Sequence, residues 1–251
     1  MAEEKHTALP LPIALAWGAV PPAQRGPKRG FNLDQVLDAA VALADASGID
    51  AVTMPALAKS LGLTAMSLYR YVGSKDALLL LLQERGMGLP PTSIAGAASW
   101  RDGLEAYAEA SADVYRRHPW MLDIPIAGIA TTPNNLTWVE AGLETLAATR
   151  LSPEERMAVV LQISGHARFR ALVERGYGDR ADLTGEDVSG VVGSEARLLG
   201  TLVAVDRFPN LHALLRSGAL VDDRLDNFDF GLQRLLDGIS HYVESRSTEA
   251  S

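Results

Sequence analysis

Residues Thr53 to Lys75 read TMPALAKSLGLTAMSLYRYVGSK. Small and apolar residues recur at helical spacing from Met54 to Leu61, Gly62 interrupts the run, and Thr64 can cap a second short helix. Two short helices joined by a tight turn containing Gly form a helix-turn-helix, whose second helix fits the DNA major groove. An ordinary helical hairpin in an all-α protein is the alternative, and the spacing alone does not exclude it.

The outward side chains of the second helix suit contact with DNA. Leu68 and Val72 fall on the side that can pack against the first helix, so Ser67, Tyr69 and Arg70 are left facing outward. Hydroxyl and guanidinium groups are donors that phosphate oxygens and base edges accept. The sequence therefore favours DNA as the partner, since a protein-binding face would carry more apolar surface.

Together with the helix before it, this stretch resembles the N-terminal domain of the tetracycline-repressor (TetR) family. The matching segments occur in the family's order, which makes the resemblance more specific than a generic helix-turn-helix match. They are Val36–Ala40, Gly48–Thr53, Leu57–Ala58, Leu61–Leu63, Leu68–Tyr69 and Lys75–Leu78.

The resemblance also implies which residues meet an operator. In the family, the positions of Tyr69 and Lys75 contact phosphates, and those of Thr64 to Ser67 and Arg70 face bases or backbone. A short basic segment before the first helix adds two further candidates. The predicted DNA-binding residues are Lys28, Arg29, Thr53, Thr64, Ala65, Met66, Ser67, Tyr69, Arg70 and Lys75.

The distribution of charge agrees with a DNA-binding end on an acidic body. The whole chain has a formal net charge of −8. The segment from Arg25 to Lys75 holds six basic and four acidic residues, so it carries +2 and the remaining residues carry −10. Such a division lets one end of the protein meet phosphate while the rest does not.

The composition argues against several other kinds of protein. The chain has no Cys and five scattered His, so disulfides, thiol catalysis, a zinc site and other metal or cofactor sites are not predicted. No GxSxG, HExxH, P-loop or GxGxxG motif occurs, so the protein is not expected to be an enzyme. An all-α enzyme or carrier stays the chief alternative, and a helix-turn-helix protein that binds another protein is a third possibility.

The same composition favours a cytoplasmic protein. The longest apolar stretch, Ala77 to Leu82, is much too short to span a bilayer. Glu3 and Glu4 precede the N-terminal apolar run, which several Pro interrupt, so that run does not read as a signal peptide.

The chain is predicted to be all-α, with a three-helix helix-turn-helix domain over 31–76 and a larger helical regulatory and dimerisation domain over 77–251. Residues 1–30 are expected to form a flexible arm that docks through Ile13, Leu15 and Trp17. Arg25 to Arg29 within it is either a DNA-contacting arm or a solvated linker.

Capping signals and breaks divide the chain into nine or ten helices. Ser74, Ser99, Ser152 and Thr184 are the expected N-caps, and Gly176 and Pro209 are expected breaks. Besides the helices named above, the pattern predicts Leu33–Ala46, Trp100–Arg117, Asn134–Thr149, Pro153–Arg175, Glu186–Val205 and Arg224–Glu244.

A second resemblance concerns dimerisation. Asn227–Ile239 is similar to the last helix of the tetracycline-repressor-type C-terminal domain, which implies a four-helix interface made by Pro153–Arg175 and Arg224–Glu244 of two subunits. A wide apolar stripe from Phe228 to Val243 fits helix packing of this kind. The stripe could instead face the subunit's own core.

The resemblance further implies a small-molecule effector whose binding lowers operator affinity. Aromatic walls with a few polar groups suit a flat organic ligand, although core packing is the commoner role of such side chains. His166 has small neighbours on both sides, and His166→Ala is the first test of ligand contact. The candidate lining residues are Trp100, Tyr107, His118, Trp120, Met121, Trp138, Gln162, His166 and Phe169.

Overall fold

The computed structural model describes residues 9–19, 31–126, 128, 130–221 and 227–248. These residues form eleven α-helices and two short 3₁₀ helices, Ile49–Ala51 and Pro119–Asp123, and no β-strand occurs among them. The chain divides into two compact units, Met1–Ala148 and Thr149–Ser251. The helices are α1 (Leu11–Ala16), α2 (Leu33–Ser47), α3 (Met54–Ser60), α4 (Ala65–Val72), α5 (Lys75–Met87), α6 (Trp100–Arg117), α7 (Pro133–Thr145), α8 (Pro153–Thr184), α9 (Val188–Leu202), α10 (Pro209–Ser217) and α11 (Asn227–Thr248).

The predicted helix-turn-helix is present as α3 and α4. The side chain of Thr53 accepts a hydrogen bond from the Ala56 amide and begins α3, and the side chain of Thr64 accepts one from the Ser67 amide and begins α4. Ser74 then caps α5 by accepting from the Ala77 amide. These bonds satisfy backbone donors that a helix leaves open at its N-terminus, so local sequence defines where each helix begins.

A small apolar core holds α2, α3, α4 and α5 together. Val36, Leu57, Leu68, Val72 and Leu78 are all completely buried. Their spacing places one face of each helix toward the others, as the periodicity predicts. This core holds α4 with one face buried, so that the opposite face of the helix is exposed to solvent.

Helix α5 is covered from several directions. It packs against α2, α4, α7 and α1. Leu78, Leu81 and Leu82 are buried, which agrees with the apolar composition of this helix. Helix α1, which lies N-terminal to the helix-turn-helix, is thus one of the elements that cover α5.

Helix α1 differs from the flexible arm predicted for residues 1–30. Leu11 to Ala16 is helical, with a Pro in its first turn, and Ile13 and Leu15 are half-buried. The indole N–H of Trp17 donates to the Thr131 carbonyl oxygen at 3.0 Å. The predicted docking through these three side chains is therefore present. The helix that carries two of them was not predicted, because the proline content of this segment argued against a helix.

Two helix boundaries in the second unit depart from the prediction. α8 continues through Gly176 to Thr184, so this Gly does not end the helix. α9 is capped by Asp187, whose side chain accepts from the Gly190 amide, and the predicted cap Thr184 belongs to the end of α8. Packing of α8 against α9 outweighs the small helix-breaking preference of one Gly.

A further difference concerns Pro209, which was predicted to be a break. It stands instead at the start of the extra helix α10. Pro is favoured at the first helical position because no backbone N–H is needed there.

None of the helices in the described part of the chain has the length and hydropathy needed to cross a lipid bilayer.

Candidate nucleic-acid interface and effector cavity

The outer face of α4 is the part of the helix-turn-helix that is available to DNA. Leu68 and Val72 are fully buried on its inner side. On the outer side Met66 is 71% exposed, Tyr69 is 43% exposed and Arg70 is exposed. The helix therefore presents one apolar, one aromatic and one cationic side chain outward within a single turn.

Two hydroxyl groups hold the first turn of this face. The hydroxyl oxygens of Thr64 and Ser67 lie 2.9 Å apart, and Thr64 also accepts from the Ser67 amide at 3.2 Å. One of the two hydroxyl protons is used in their mutual hydrogen bond. At most one hydroxyl proton of the pair is therefore left for an outside acceptor.

The remaining predicted DNA-binding residues occupy varied positions. Thr53 is half-buried and caps α3, and Ala65 is half-buried at the start of α4. Lys75 is exposed at the first position of α5, where the positive end of the helix adds to its charge. Lys28 and Arg29 lie outside the described residues.

A guanidinium group joins the end of α5 to α2. Arg85 approaches Asp38 at 2.6 Å and Asp34 at 3.7 Å. All three side chains are partly exposed, so solvent screens the attraction. The pair spans 47 positions of sequence, and nothing in the sequence alone points to it.

The neighbouring residue of α5, Glu84, contacts a different helix, α7. Glu84 is buried, and its carboxylate accepts from the Asn134 amide at 2.7 Å and from the side chain of Asn135 at 3.2 Å. Its backbone carbonyl oxygen accepts from the Asn134 side chain at 3.0 Å. A buried carboxylate thus satisfies the first amides of α7, where the helix dipole also favours negative charge.

A third carboxylate of α2 holds the 3₁₀ helix Pro119–Asp123. Asp45 accepts from the indole N–H of Trp120 at 2.6 Å and lies 2.8 Å from Nδ1 of His118. His118 and Trp120 were predicted to line the ligand site. In the structure both side chains contact Asp45 of α2 instead.

A cavity of about 410 Å³ opens between α6, α7 and the segment after α5. Its volume lies within the ordinary range for small-molecule sites. Of the predicted ligand residues, Trp138 is the one that lines this cavity. Its indole N–H donates a hydrogen bond to the Gly88 carbonyl oxygen at 3.0 Å. The lining residues are Leu89, Pro91, Ala110, Asp113, Arg116, Arg117 and Trp138.

The other predicted ligand residues of the first unit lie mainly in its core. Tyr107 is buried and meets Trp138 edge to face, with ring centroids 5.6 Å apart. Met121 is buried as well, and Trp100 is half-buried at the first position of α6. The sequence did not single out the two Arg residues of the cavity, because surface Arg on a helix commonly serves only solubility.

The second unit contains the three remaining candidates, all on α8. Nε2 of His166 lies 3.0 Å from the backbone carbonyl oxygen of Phe228 on α11. Its ring also leaves little space over Gly231, where an added Cβ would stand 3.2 Å from Cε1. Gln162 is exposed, and Phe169 is 59% exposed. His166 therefore has a packing role between α8 and α11.

The start of α8 is also joined to α11. Ser152, a predicted N-cap, and Glu155 form a capping box, in which each side chain accepts a hydrogen bond from the other residue's backbone amide. The hydroxyl of Tyr242 donates to Glu155 at 2.6 Å. This hydrogen bond and the one from the Ser152 amide lower the pKa of Glu155 below its ordinary value, and Arg246 adds to the effect.

One face of α8 carries exposed apolar side chains. Leu161, Phe169 and Leu172 are 53%, 59% and 44% exposed, and their spacing places them on one side of the helix. On α11, Leu232 and Leu236 are buried, whereas Phe230 is 46% exposed. The two helices predicted for dimerisation thus pack together and still expose apolar surface.

Comparison with protein-family models gives two matches. The model of bacterial regulatory proteins of the tetR family matches residues 36–82. The model of the tetracyclin repressor-like C-terminal domain matches residues 94–243.

Comparison with individual proteins agrees with these matches. The HTH-type transcriptional repressor DrrR1 of Streptomyces coeruleorubidus is 32% identical over 241 residues, which are 95% of this chain and 88% of that protein. Tetracycline repressor protein class E of Escherichia coli is 30% identical over 57% of this chain and 68% of its own length. ActR of Streptomyces coelicolor, solved in complex with actinorhodin, has the same fold with a TM-score of 0.65 at 22% identity, over 83% of this chain and 95% of that one.

Proposed function

Because this chain belongs to the TetR family of bacterial regulatory proteins, we propose that it represses transcription as a homodimer on a palindromic operator and is released by a small organic molecule. The family consists of DNA-binding transcriptional regulators, so the protein is a regulator and not an enzyme.

The observation that carries the proposal is the outer face of α4. Met66, Tyr69 and Arg70 are exposed on a helix whose opposite side is fully buried. Lys75 follows at the N-terminus of the next helix, where phosphate is favoured by charge and by free amides. Base contacts from α4 and phosphate contacts from Tyr69 and Lys75 would together give specificity and affinity.

The exposed apolar face of α8 supports a homodimer. Side chains such as Leu161, Phe169 and Phe230 occur on the two helices that the family uses for its dimer interface. A second copy would cover this surface by forming a four-helix bundle. Two-fold symmetry would then present two α4 helices to successive major grooves, which requires a palindromic operator.

The contacts at the end of α5 support release by an effector. Arg85 holds α2, and the adjacent Glu84 holds α7, which lines the cavity of about 410 Å³. Asp45 adds another contact of α2, to the segment after α6. A molecule bound beside α7 would favour an arrangement of α5 that fits the operator poorly, with a coupling of about 1–3 kcal/mol.

The first experiment is selection of duplexes from a random DNA pool by the purified full-length protein at about 150 mM salt, where non-specific phosphate binding is weak. We expect enrichment of one palindrome. Arg70→Ala should change the preferred sequence, whereas Arg216→Ala, which removes an equal charge from the exposed surface of α10, should not. Absence of an enriched sequence, or equal behaviour of the two variants, would contradict the proposal.

The effector is tested on the selected palindrome with a panel of flat aromatic compounds. A compound that releases the operator should weaken binding by about 5–150-fold. Because Trp138 is buried, Trp138→Phe, which keeps an aromatic ring in the core, should reduce this release while leaving operator affinity in the absence of compound unchanged. His166→Ala provides a comparison, and an unaltered response in both variants would place the effector elsewhere.

A further inference from the structure

Met66 is a strongly exposed large apolar side chain, with 71% of its surface accessible. Within residues 31–88, all of which the structure describes, the large hydrophobic residues that are exposed are Met66 and Tyr69. Both lie on α4, three positions apart, and therefore on one face of the helix. Within residues 31–88 the exposed large apolar side chains are thus confined to the face of α4 that is proposed to meet DNA, which suits an apolar group on the DNA.

The first turn of α4 leaves Met66 as its longest outward side chain. Ala65 offers one methyl group and is half-buried. The hydroxyls of Thr64 and Ser67 are hydrogen-bonded to each other at 2.9 Å. The N-terminal residues of a recognition helix are those that meet base edges in the major groove. Met66 is thus the side chain of this turn with the reach and exposure to do so.

Among the base edges of the major groove, the 5-methyl group of thymine is the apolar one. A methionine side chain is flexible and polarizable, so it adapts to such a contact. We propose that Met66 reads the 5-methyl group of one thymine in each operator half-site. This inference rests on the proposed function, because it assumes that α4 enters the major groove.

The test replaces thymine by deoxyuracil, which removes the methyl group and keeps the base pair. Each thymine of the selected palindrome is replaced in turn, symmetrically in both half-sites, and binding of the full-length protein is measured. Burial of one methyl group corresponds to roughly a fourfold change in affinity per half-site. For the native protein we expect such a loss of affinity when the thymine at one particular position of each half-site is replaced, and not at the others.

The variants assign the effect to a side chain. In Met66→Ala the loss at that position should disappear, whereas in Met66→Leu, which keeps apolar reach, most of it should persist. Tyr69→Ala should leave the loss unchanged. Sensitivity that persists in Met66→Ala, or that disappears in Tyr69→Ala instead, would overturn the inference.

The outcome is separable from that of the proposed function. If no palindrome is enriched in the selection, the proposed function itself fails. If a palindrome is enriched but removal of thymine methyl groups has no effect that depends on Met66, only the present inference fails. Because Met66 is exposed, its variants are expected to fold as the native protein does.

Discussion

Helices α4 and α5 are neighbours in the chain and are built in opposite ways. Both begin at a hydroxyl cap, Thr64 or Ser74, and only Gly73 and Ser74 separate them. α4 has one buried and one exposed face, whereas α5 is apolar over most of its length and is packed by four other helices. Its important polar side chains, Glu84 and Arg85, are adjacent and point to different helices.

This difference suggests how reading and regulation are divided. An exposed face can change its contacts without disturbing a core, so it is suited to recognition. A covered helix cannot move without moving the helices that it contacts, because packed interiors have few voids. We therefore expect the specificity of the proposed repressor to depend on α4 and its response to an effector to depend on α5.

Truncation of one apolar side chain in each helix is expected to show the contrast most strongly. Leu78→Ala in α5 should lower the free energy of unfolding by about 2–5 kcal/mol, because Leu78 is completely buried. Met66→Ala in α4 should change it by less than about 0.5 kcal/mol. Urea denaturation at equal protein concentration measures both, and similar losses would remove the contrast.

The buried carboxylate of α5 is expected to have the next largest effect. Glu84→Ala should lower the free energy of unfolding by about 1–3 kcal/mol, since the amides at the start of α7 lose their acceptor. Glu144→Ala, at an exposed position of α7, is the control and should be nearly neutral. Equal thermal stability of the two variants would show that the carboxylate does not hold α7.

The junction between the two helices should be sensitive to a single methyl group. Gly73 has φ +81°, and an added Cβ would stand 2.9 Å from Cδ2 of Leu11. Gly73→Ala should cost about 1–2 kcal/mol for the backbone alone. Gly62→Ala has a similar φ of +65° with no atom within 4 Å of the added Cβ. The difference between the two variants in urea unfolding therefore measures the packing of α1, and no difference would show that α1 yields freely.

Loss of the Arg85 guanidinium is expected to have a smaller effect on stability than the loss of Leu78, Glu84 or Gly73. Its pair with Asp38 is partly exposed, so Arg85→Ala should cost about 0.2–1 kcal/mol. The loss should shrink at about 1 M salt because exposed charges are screened. A double-mutant cycle with Asp38→Ala separates the pair from other effects, and a coupling that does not depend on salt would argue against a direct ion pair.

The helix-turn-helix could be predicted closely because its signals are local. Thr64 and Ser74 cap their helices as expected, and Leu68 and Val72 face inward as their spacing predicts. The predicted limits of Trp100–Arg117 are those of α6, again beside a Ser cap. Hydrogen bonds between residues three positions apart are visible in a sequence.

The links between helices could not be predicted in this way. Asp45 and Trp120 are 75 positions apart, and Glu84 and Asn134 are 50 apart. Single charged residues at such distances have no shared pattern in one sequence. Gly176 misled the prediction for a related reason, since the contacts that keep α8 helical there come from another helix.

The exposure of Met66 has a consequence for how such regulators diverge. A side chain with no structural duty can be exchanged by a single mutation at little risk to folding, as most substitutions at exposed positions are nearly neutral. After gene duplication, two copies could thus acquire different operators while retaining the same inducer. Because the exposed face of α4 has no role in the core, a change of operator sequence is expected to evolve more readily than a change in a buried part of the protein.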